Sequence, residues 1–244
     1  MLSNIFSSEI LKIRRLRVWI VIILGSIIAV VLALTNFFNN YDIFMQPGDN
    51  PWLEAWTQVD IFMGSFILPI LSGIYTALVC RTEHIGGGWK QILSLPISRS
   101  KTYICKFLLS ASLMAITQFI LLTLFLILGH LTGIKSDIPW LTLVVFGFRG
   151  WLASFPLIAI QLIFSFHWDN FGIPIAVNIV FTLPSLFIVN TKLGQFYPWA
   201  QPMLAMSPPD ESPISSIPVF YLMLLITFAL SMLIGIRNFN RKDI

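Results

Sequence analysis

Val18-Trp-Ile-Val-Ile-Ile-Leu-Gly-Ser-Ile-Ile-Ala-Val-Val-Leu-Ala-Leu-Thr35 is an eighteen-residue run without a single charged side chain. As a helix rising ~1.5 Å per residue it covers about 27 Å, close to the ~30 Å hydrocarbon core of a bilayer. Lys12, Arg14, Arg15 and Arg17 stand just before it. The run is too long for the apolar core of a signal peptide and has no clear A-x-A site after it, so it reads as a retained membrane span.

The rest of the chain has the same character. Of its 244 residues 57% are hydrophobic and only 11% charged, with a mean hydropathy of +0.84. A soluble domain carries roughly 25% charged residues to cover its surface, so a bilayer must solvate most of this one. Five more stretches are long and apolar: residues 61–79, 107–131, 140–166, 173–189 and 218–236. The fourth span, 140–166, is long enough to be tilted or bent. The fifth, 173–189, is short and carries Pro174 and Pro184. The expected fold is an all-α integral membrane protein with six transmembrane helices, forming one transmembrane domain over residues 1–244. Cys80 and Cys105 have neither CxxC spacing nor a Cys/His cluster around them, so they read as small apolar residues. His84, His130 and His167 lie at span ends and far apart, with no HExxH motif, and read as interfacial polar residues, not metal ligands.

Lys and Arg between spans set orientation. Twelve of the fifteen fall in the N-terminal segment, the 80–106 connection and the C-terminus, against Lys135 and Lys192 on the other side; Arg149 lies within a span. This bias puts both termini in the cytoplasm and makes 80–106 a cytoplasmic connection.

Four features stand out from the apolar background. In residues 1–17, Ile5, Phe6, Ile10, Ile13 and Leu16 recur near helical spacing with Glu9, Lys12 and Arg15 between them. An interfacial helix would lay that stripe on the inner leaflet and turn its cations to anionic headgroups; a plain basic flank is the alternative. In the connection, Gly86, Gly87 and Gly88 lack the P-loop frame and read as a flexible break. Trp89 to Leu95 then makes two helical turns stopped by Pro96, and Ser98 can cap the next helix. A short helix exposing Trp89, Lys90, Ile92, Leu93 and Leu95 suits docking of a partner; otherwise it is a polar loop. The 190–217 segment holds six prolines counting Pro218, with Tyr197, Pro198 and Trp199 clustered. It is either a pair of short re-entrant helices on the external face or an irregular surface loop. Arg149 sits about nine residues into the fourth span. Its burial costs at least ~2.5 kcal/mol, so it faces the bundle, a wet cavity or an interface, with Asp60 the nearest counter-ion by depth. It serves either a structural ion pair or contact with substrate or a second chain.

Glu83, the three glycines, Leu95-Pro96-Ile97-Ser98-Arg99, Tyr103 and Lys106 resemble the E…G…L-x-x-P-x-S-R…K pattern of ABC-2 type transporter permeases. Ser8 to Arg15 and Phe239-Asn240-Arg241-Lys242-Asp243 also resemble that family. Length, span number and Tyr197-Pro198-Trp199 before the last span are similar to permeases of lantibiotic and bacitracin immunity exporters. The departure is Gly86-Gly87-Gly88-Trp89, where many relatives have fewer glycines and a Thr or Ser. The resemblance implies a permease in the bacterial cytoplasmic membrane with no ATPase or cofactor of its own, ATP and magnesium being bound by a separate nucleotide-binding subunit. It implies a coupling segment over 80–106, with Glu83 at the gate end of the second span and Trp89, Lys90, Ile92, Leu93, Leu95, Pro96 and Arg99 at or beside the ATPase. A second permease chain (a copy or a paralogue), membrane lipid and an amphipathic antimicrobial peptide as cargo are the other implied partners; no nucleic acid is expected. Another cargo, such as a drug, lipid or ion, stays open. A secondary transporter would need mid-membrane carboxylates, and no Asp or Glu falls inside the six assigned spans. An intramembrane protease would need a nucleophile motif that is absent. A membrane adaptor leaves the patterned connection unexplained.

Overall fold

The computed structural model describes residues 2–14, 16–94, 97–208, 212, 214 and 216–241; their regular elements are all helices, with no strand among them. Leu2–Arg14 forms α1. Arg17, in the left-handed region with φ 51°, turns the chain into α2, Val18–Asn39. A single turn, α3 (Tyr41–Phe44), leads to α4 (Pro51–Phe62), a π-helical turn (Met63–Ile67) and α5 (Leu68–His84), which together make one continuous rod. A 3-10 turn (Ile85–Gly87) and α6 (Gly88–Ser94) precede α7, Arg99–Leu131. Then follow α8 (Trp140–Ala153) and α9 (Phe155–His167), α10 (Gly172–Ile188), a 3-10 turn (Gly194–Phe196), α11 (Gln201–Met206) and α12 (Ile217–Arg241).

Among the described residues, five rods are long and apolar enough to cross a membrane: Val18–Asn39, Pro51–His84, Arg99–Leu131, Trp140–His167 and Ile217–Arg241. The sixth apolar helix, α10, has 17 residues and falls short of that length. Successive helices alternate in direction only when α10 is counted between the fourth and fifth rods, which both end on the same side, where Phe166 meets Phe239. Glu9, Glu83 and Lys106 meet at one end of the bundle, and Arg99 Nη1 donates to the carbonyl of Asn240 at 3.1 Å at that same end. Both ends of the described chain therefore lie beside the connection between α5 and α7.

The second rod begins ten residues before the expected start at 61. Asn50 caps it, its side chain accepting from the Trp52 amide at 2.9 Å, and Pro51 takes the first helical turn, where a missing N–H costs nothing. Glu54 and Asp60 lower the hydropathy of this stretch, yet Trp52, Ala55, Trp56 and Val59 are buried on it. Asp60 thus lies inside a membrane-length helix, contrary to the expectation of spans free of carboxylates; Ser207 Oγ donates to it at 2.5 Å.

The π turn is stabilised from outside the rod. Pro69 has no N–H to give to the Ser65 carbonyl four residues back, and Ser185 Oγ on α10 donates to that carbonyl at 3.4 Å. Asn178, also on α10, donates to the Pro69 carbonyl at 2.6 Å and accepts from Gln161 and from Trp199 Nε1, each at 2.7 Å. In hydrocarbon every polar group needs such a partner inside the protein, and these bonds tie α10 to α5 and α9. The fourth rod is broken at Ser154, two residues before Pro156. The largest fully buried side chains include Trp52, Trp56, Tyr75, Tyr103 and Phe125.

A candidate functional site: the charge ring under the 88–94 helix

Lys106 is completely buried, which isolated lysine does not tolerate. Its ammonium has three protons, and each finds an acceptor: Glu9 Oε2 at 2.9 Å, Glu83 Oε2 at 2.7 Å and the Val79 carbonyl at 2.8 Å. Lys12 bridges the two carboxylates on their other oxygens, Glu9 Oε1 at 2.6 Å and Glu83 Oε1 at 2.7 Å. Thr82 Oγ1 adds a bond to Glu83 Oε2 at 2.7 Å. Two cations and two anions thus alternate around a closed ring with no net charge. Glu9 and Glu83 side chains are 4% and 1% exposed, whereas Lys12 is 34% exposed and opens the ring to water on one side.

The ring joins three elements: α1 through Glu9 and Lys12, the last turn of α5 through Glu83, and the second turn of α7 through Lys106. Glu9 and Lys12 share a face of α1 by their three-residue spacing. This changes the reading of α1. Glu9 and Ile13 are buried and the helix packs on α7 and α5, while Ile10 and Leu11 are the exposed apolar side chains. Glu9 and Lys12 bond inward to the bundle, not outward to headgroups as a simple interfacial helix would have it.

Helix α6 sits above the ring. Gly87, at φ 74°, supplies the left-handed residue that starts it, and Gly88 approaches the backbone of Thr82 and Glu83 so closely that a Cβ would meet it. Trp89 is 7% exposed. Its ring lies 5.1 Å from Phe166, 5.5 Å from Phe239 and 5.5 Å from the ammonium of Lys106, a cation–π contact that caps the ring of charges. Trp89 was expected to present itself to a partner; instead it anchors α6 to α7, α9 and α12, because an indole buries too much apolar surface to leave in water when an aromatic pocket is adjacent. Lys90 is exposed. Ile92 and Leu93 belong to α6, and Leu95 and Pro96 lie outside the described residues. Arg99, expected at the ATPase, reaches across to the Asn240 carbonyl and so binds α7 to the end of α12. Asn240 also bonds Ser100.

His84 completes this end. Its side chain is 6% exposed. Nε2 lies 2.8 Å from the Ser165 carbonyl, while Nδ1 lies 3.2 Å from Trp89 Nε1 and 2.8 Å from Asp169 Oδ1. Composition and spacing marked His84 as a bland span-end residue, and nothing in the linear sequence shows that Trp89 and Asp169 converge on it. Glu9 and Lys12 left a fainter trace, as an opposite-charge pair at helical spacing inside an otherwise apolar stripe.

The other singled-out residues lie elsewhere. Arg149 does not meet Asp60: its Nε donates to the Tyr221 hydroxyl at 2.9 Å and its guanidinium lies 5.9 Å from the centre of the Phe146 ring. Asp60 instead takes Ser207, which the chain brings back from beyond α11. Tyr197 donates to the Phe181 carbonyl at 2.6 Å, and Trp199 is buried, stacked on Phe181 at 4.9 Å and bonded to Asn178. Pro198 stands between them. The α11 helix that follows is buried against α8 and the π turn, with Trp56 Nε1 donating to the Met206 carbonyl at 3.2 Å.

A family model described as ABC-2 family transporter protein matches residues 5–185. The chain is also 25% identical over 175 residues to a bacitracin transport permease protein, BCRB, of Bacillus licheniformis; the match covers 66% of this chain and 82% of that protein. The match runs through the charge ring, α6 and the first ten helices, and with the five membrane-length apolar rods it makes this a multi-pass protein of the bacterial cell membrane. The chain belongs to the ABC-2 family of transporter proteins, the membrane subunits of transporters driven by a partner ATPase.

Proposed function

We propose that this chain is the permease of an ATP-driven exporter that removes a membrane-active antimicrobial peptide, with the α5–α7 connection as its coupling segment. The observation that carries the reading is the closed ring of Glu9, Lys12, Glu83 and Lys106 directly beneath α6. A short helix clamped through Trp89 to a buried, neutral ring of charges cannot move without moving α1, α5 and α7 with it. Force applied by a partner at α6 is then delivered to two spans at once. Lys90, with the described backbone of α6, forms the outward face for a nucleotide-binding subunit, which holds the ATP and magnesium; Trp89 braces the helix from behind.

The topology follows from the charge bias and the common end of the two termini. Twelve of fifteen basic residues flank one end, and that end is cytoplasmic by the positive-inside rule. Both chain ends lie there, so the number of crossings is even. The 17-residue α10, about 26 Å long at ~1.5 Å per residue, is then the sixth span, and local thinning covers the mismatch. Residues 190–208 fold back on the external face as a re-entrant cap with Tyr197, Pro198 and Trp199 at its base. A second permease chain, a copy or a paralogue, completes the pathway. The peptide cargo rests on the likeness to a bacitracin transport permease and on the apolar, aromatic exterior that an amphipathic peptide would meet.

The test is heterologous expression of the chain with a candidate nucleotide-binding ATPase subunit in a sensitive bacterium. Raised tolerance to bacitracin or a lantibiotic, lost when Glu83→Gln is introduced at unchanged membrane levels, supports the reading. Unchanged sensitivity to every such peptide with an assembled complex rejects the cargo, and failure of any ATPase to assemble rejects the exporter itself.

A further inference from the structure

Three groups compete for one imidazole at the cytoplasmic end of the bundle, and they cannot all be satisfied together. The carbonyl of Ser165 can only accept, so at 2.8 Å it requires a proton on His84 Nε2. Trp89 Nε1 can only donate, so at 3.2 Å it requires a lone pair on Nδ1. Asp169 Oδ1, a carboxylate at 2.8 Å from the same Nδ1, requires a proton there. The neutral ring serves Ser165 and Trp89; the imidazolium serves Ser165 and Asp169.

We propose that His84 is a proton-sensitive positioning residue for α6. With Nδ1 unprotonated it holds the Trp89 indole and keeps α6 seated on the charge ring. With Nδ1 protonated it turns to Asp169, and the Trp89 N–H loses its acceptor in a site only 7% exposed, where an unmet donor is costly. The proton comes from water and goes to Nδ1; no other bond changes. Histidine is the side chain whose charge ordinarily changes between about pH 5 and 8. On α1, α5 and α7 the ring of Glu9, Lys12, Glu83 and Lys106 is neutral as a whole, with Lys106 on the Trp89 face. Arg81 lies against the Phe171 ring, Lys90 is exposed on α6, Tyr103 stacks on Phe166, His167 packs on Trp168, and Asp169 is the carboxylate in contact. The geometry concerns only this chain, although its relevance to coupling rests on the proposed function.

The test reads the indole and needs no ATPase. The full-length protein in lipid nanodiscs, labelled with [15N-indole]-tryptophan, is titrated from pH 8 to pH 5, with Trp89→Phe identifying the resonance. The Trp89 N–H should move sigmoidally with one protonation. In Asp169→Asn, a change at an 87%-exposed side chain that leaves the fold intact, the midpoint should fall by up to about 0.7 on the pH scale, the strength of a solvated ion pair. In His84→Gln the resonance should be flat. A Trp89 resonance that is flat in the native protein, a titration that persists in His84→Gln, or a midpoint unmoved by Asp169→Asn overturns the proposal. Because the readout is a single N–H, these outcomes are distinct from any failure of export.

Discussion

Lys106 shows how one side chain can hold three elements. Its three protons are all used, so truncation leaves Glu9 and Glu83 with one cation, Lys12, for two buried carboxylates. Breaking a buried pair by removing one partner costs about 3–5 kcal/mol, and Lys106→Met should destabilise by that order in thermal or denaturant unfolding in detergent micelles. Lys12→Met should cost clearly less, since water reaches that corner of the ring. Equal losses for the two would show that the ring does not act as described. Arg149 is held differently, by one bond to a hydroxyl and one aromatic face. Tyr221→Phe should therefore cost about 0.6–1.7 kcal/mol, the range of interhelical bonds in membranes. Arg149→Lys should retain more export than Arg149→Ala, because an ammonium keeps the contact with Phe146. Equal export by the native protein and the Ala variant would remove Arg149 from any role. Of these residues, Glu83 and Lys106 stood out in the sequence through the resemblance to ABC-2 permeases. Their closure into one ring with Glu9 was not, because Glu9 and Lys106 are 97 positions apart and only the fold brings them together.

At the scale of elements, the helices divide into those read from a uniform apolar run and those that depend on tertiary partners. The run of α2 has no charge to obscure it and begins where expected, at Val18. The start of α4 was hidden because Glu54 and Asp60 make the stretch look solvated; cap, Pro51 and buried tryptophans outweigh them. The inward turn of Trp89 was hidden for a related reason: an exposed indole on a short helix and a buried one have the same sequence, and only Phe166, Phe239 and Lys106 decide between them. Close approach at the other face of this cluster gives a sharp test. A Cβ at Gly235 on α12 would strike the Tyr103 hydroxyl on α7, so Gly235→Ala should separate the two helices. Overpacking of this kind costs about 1–3 kcal/mol. The expected result is a lower unfolding midpoint, restored in part by the double change with Tyr103→Phe, which removes the colliding oxygen. A Gly235→Ala protein as stable as the native one would mean that α12 packs less tightly than described.

For the whole molecule, direction came from charge and connectivity from the fold. The basic residues at both ends and in the central connection point to one compartment, and the bundle independently gathers Glu9, Glu83, Arg99 and Asn240 at one end. A fluorescent-protein fusion after residue 241 should therefore fluoresce, and an alkaline phosphatase fusion there should be inactive, as for a cytoplasmic terminus; the opposite pair of results would leave α10 outside the set of spans. Cargo was never legible, since apolar and aromatic walls suit any amphipathic ligand. The central claim is that α6 is the face through which an ATPase drives the bundle. Cys80 and Cys105 are buried, so a single Lys90→Cys variant offers one reactive thiol on α6 for a short bifunctional maleimide in native membranes. The account predicts a cross-linked product containing this chain and a nucleotide-binding subunit, lost on dissociating that subunit beforehand. An ATPase that co-purifies with the Lys90→Cys protein but never cross-links to it would contradict the assignment.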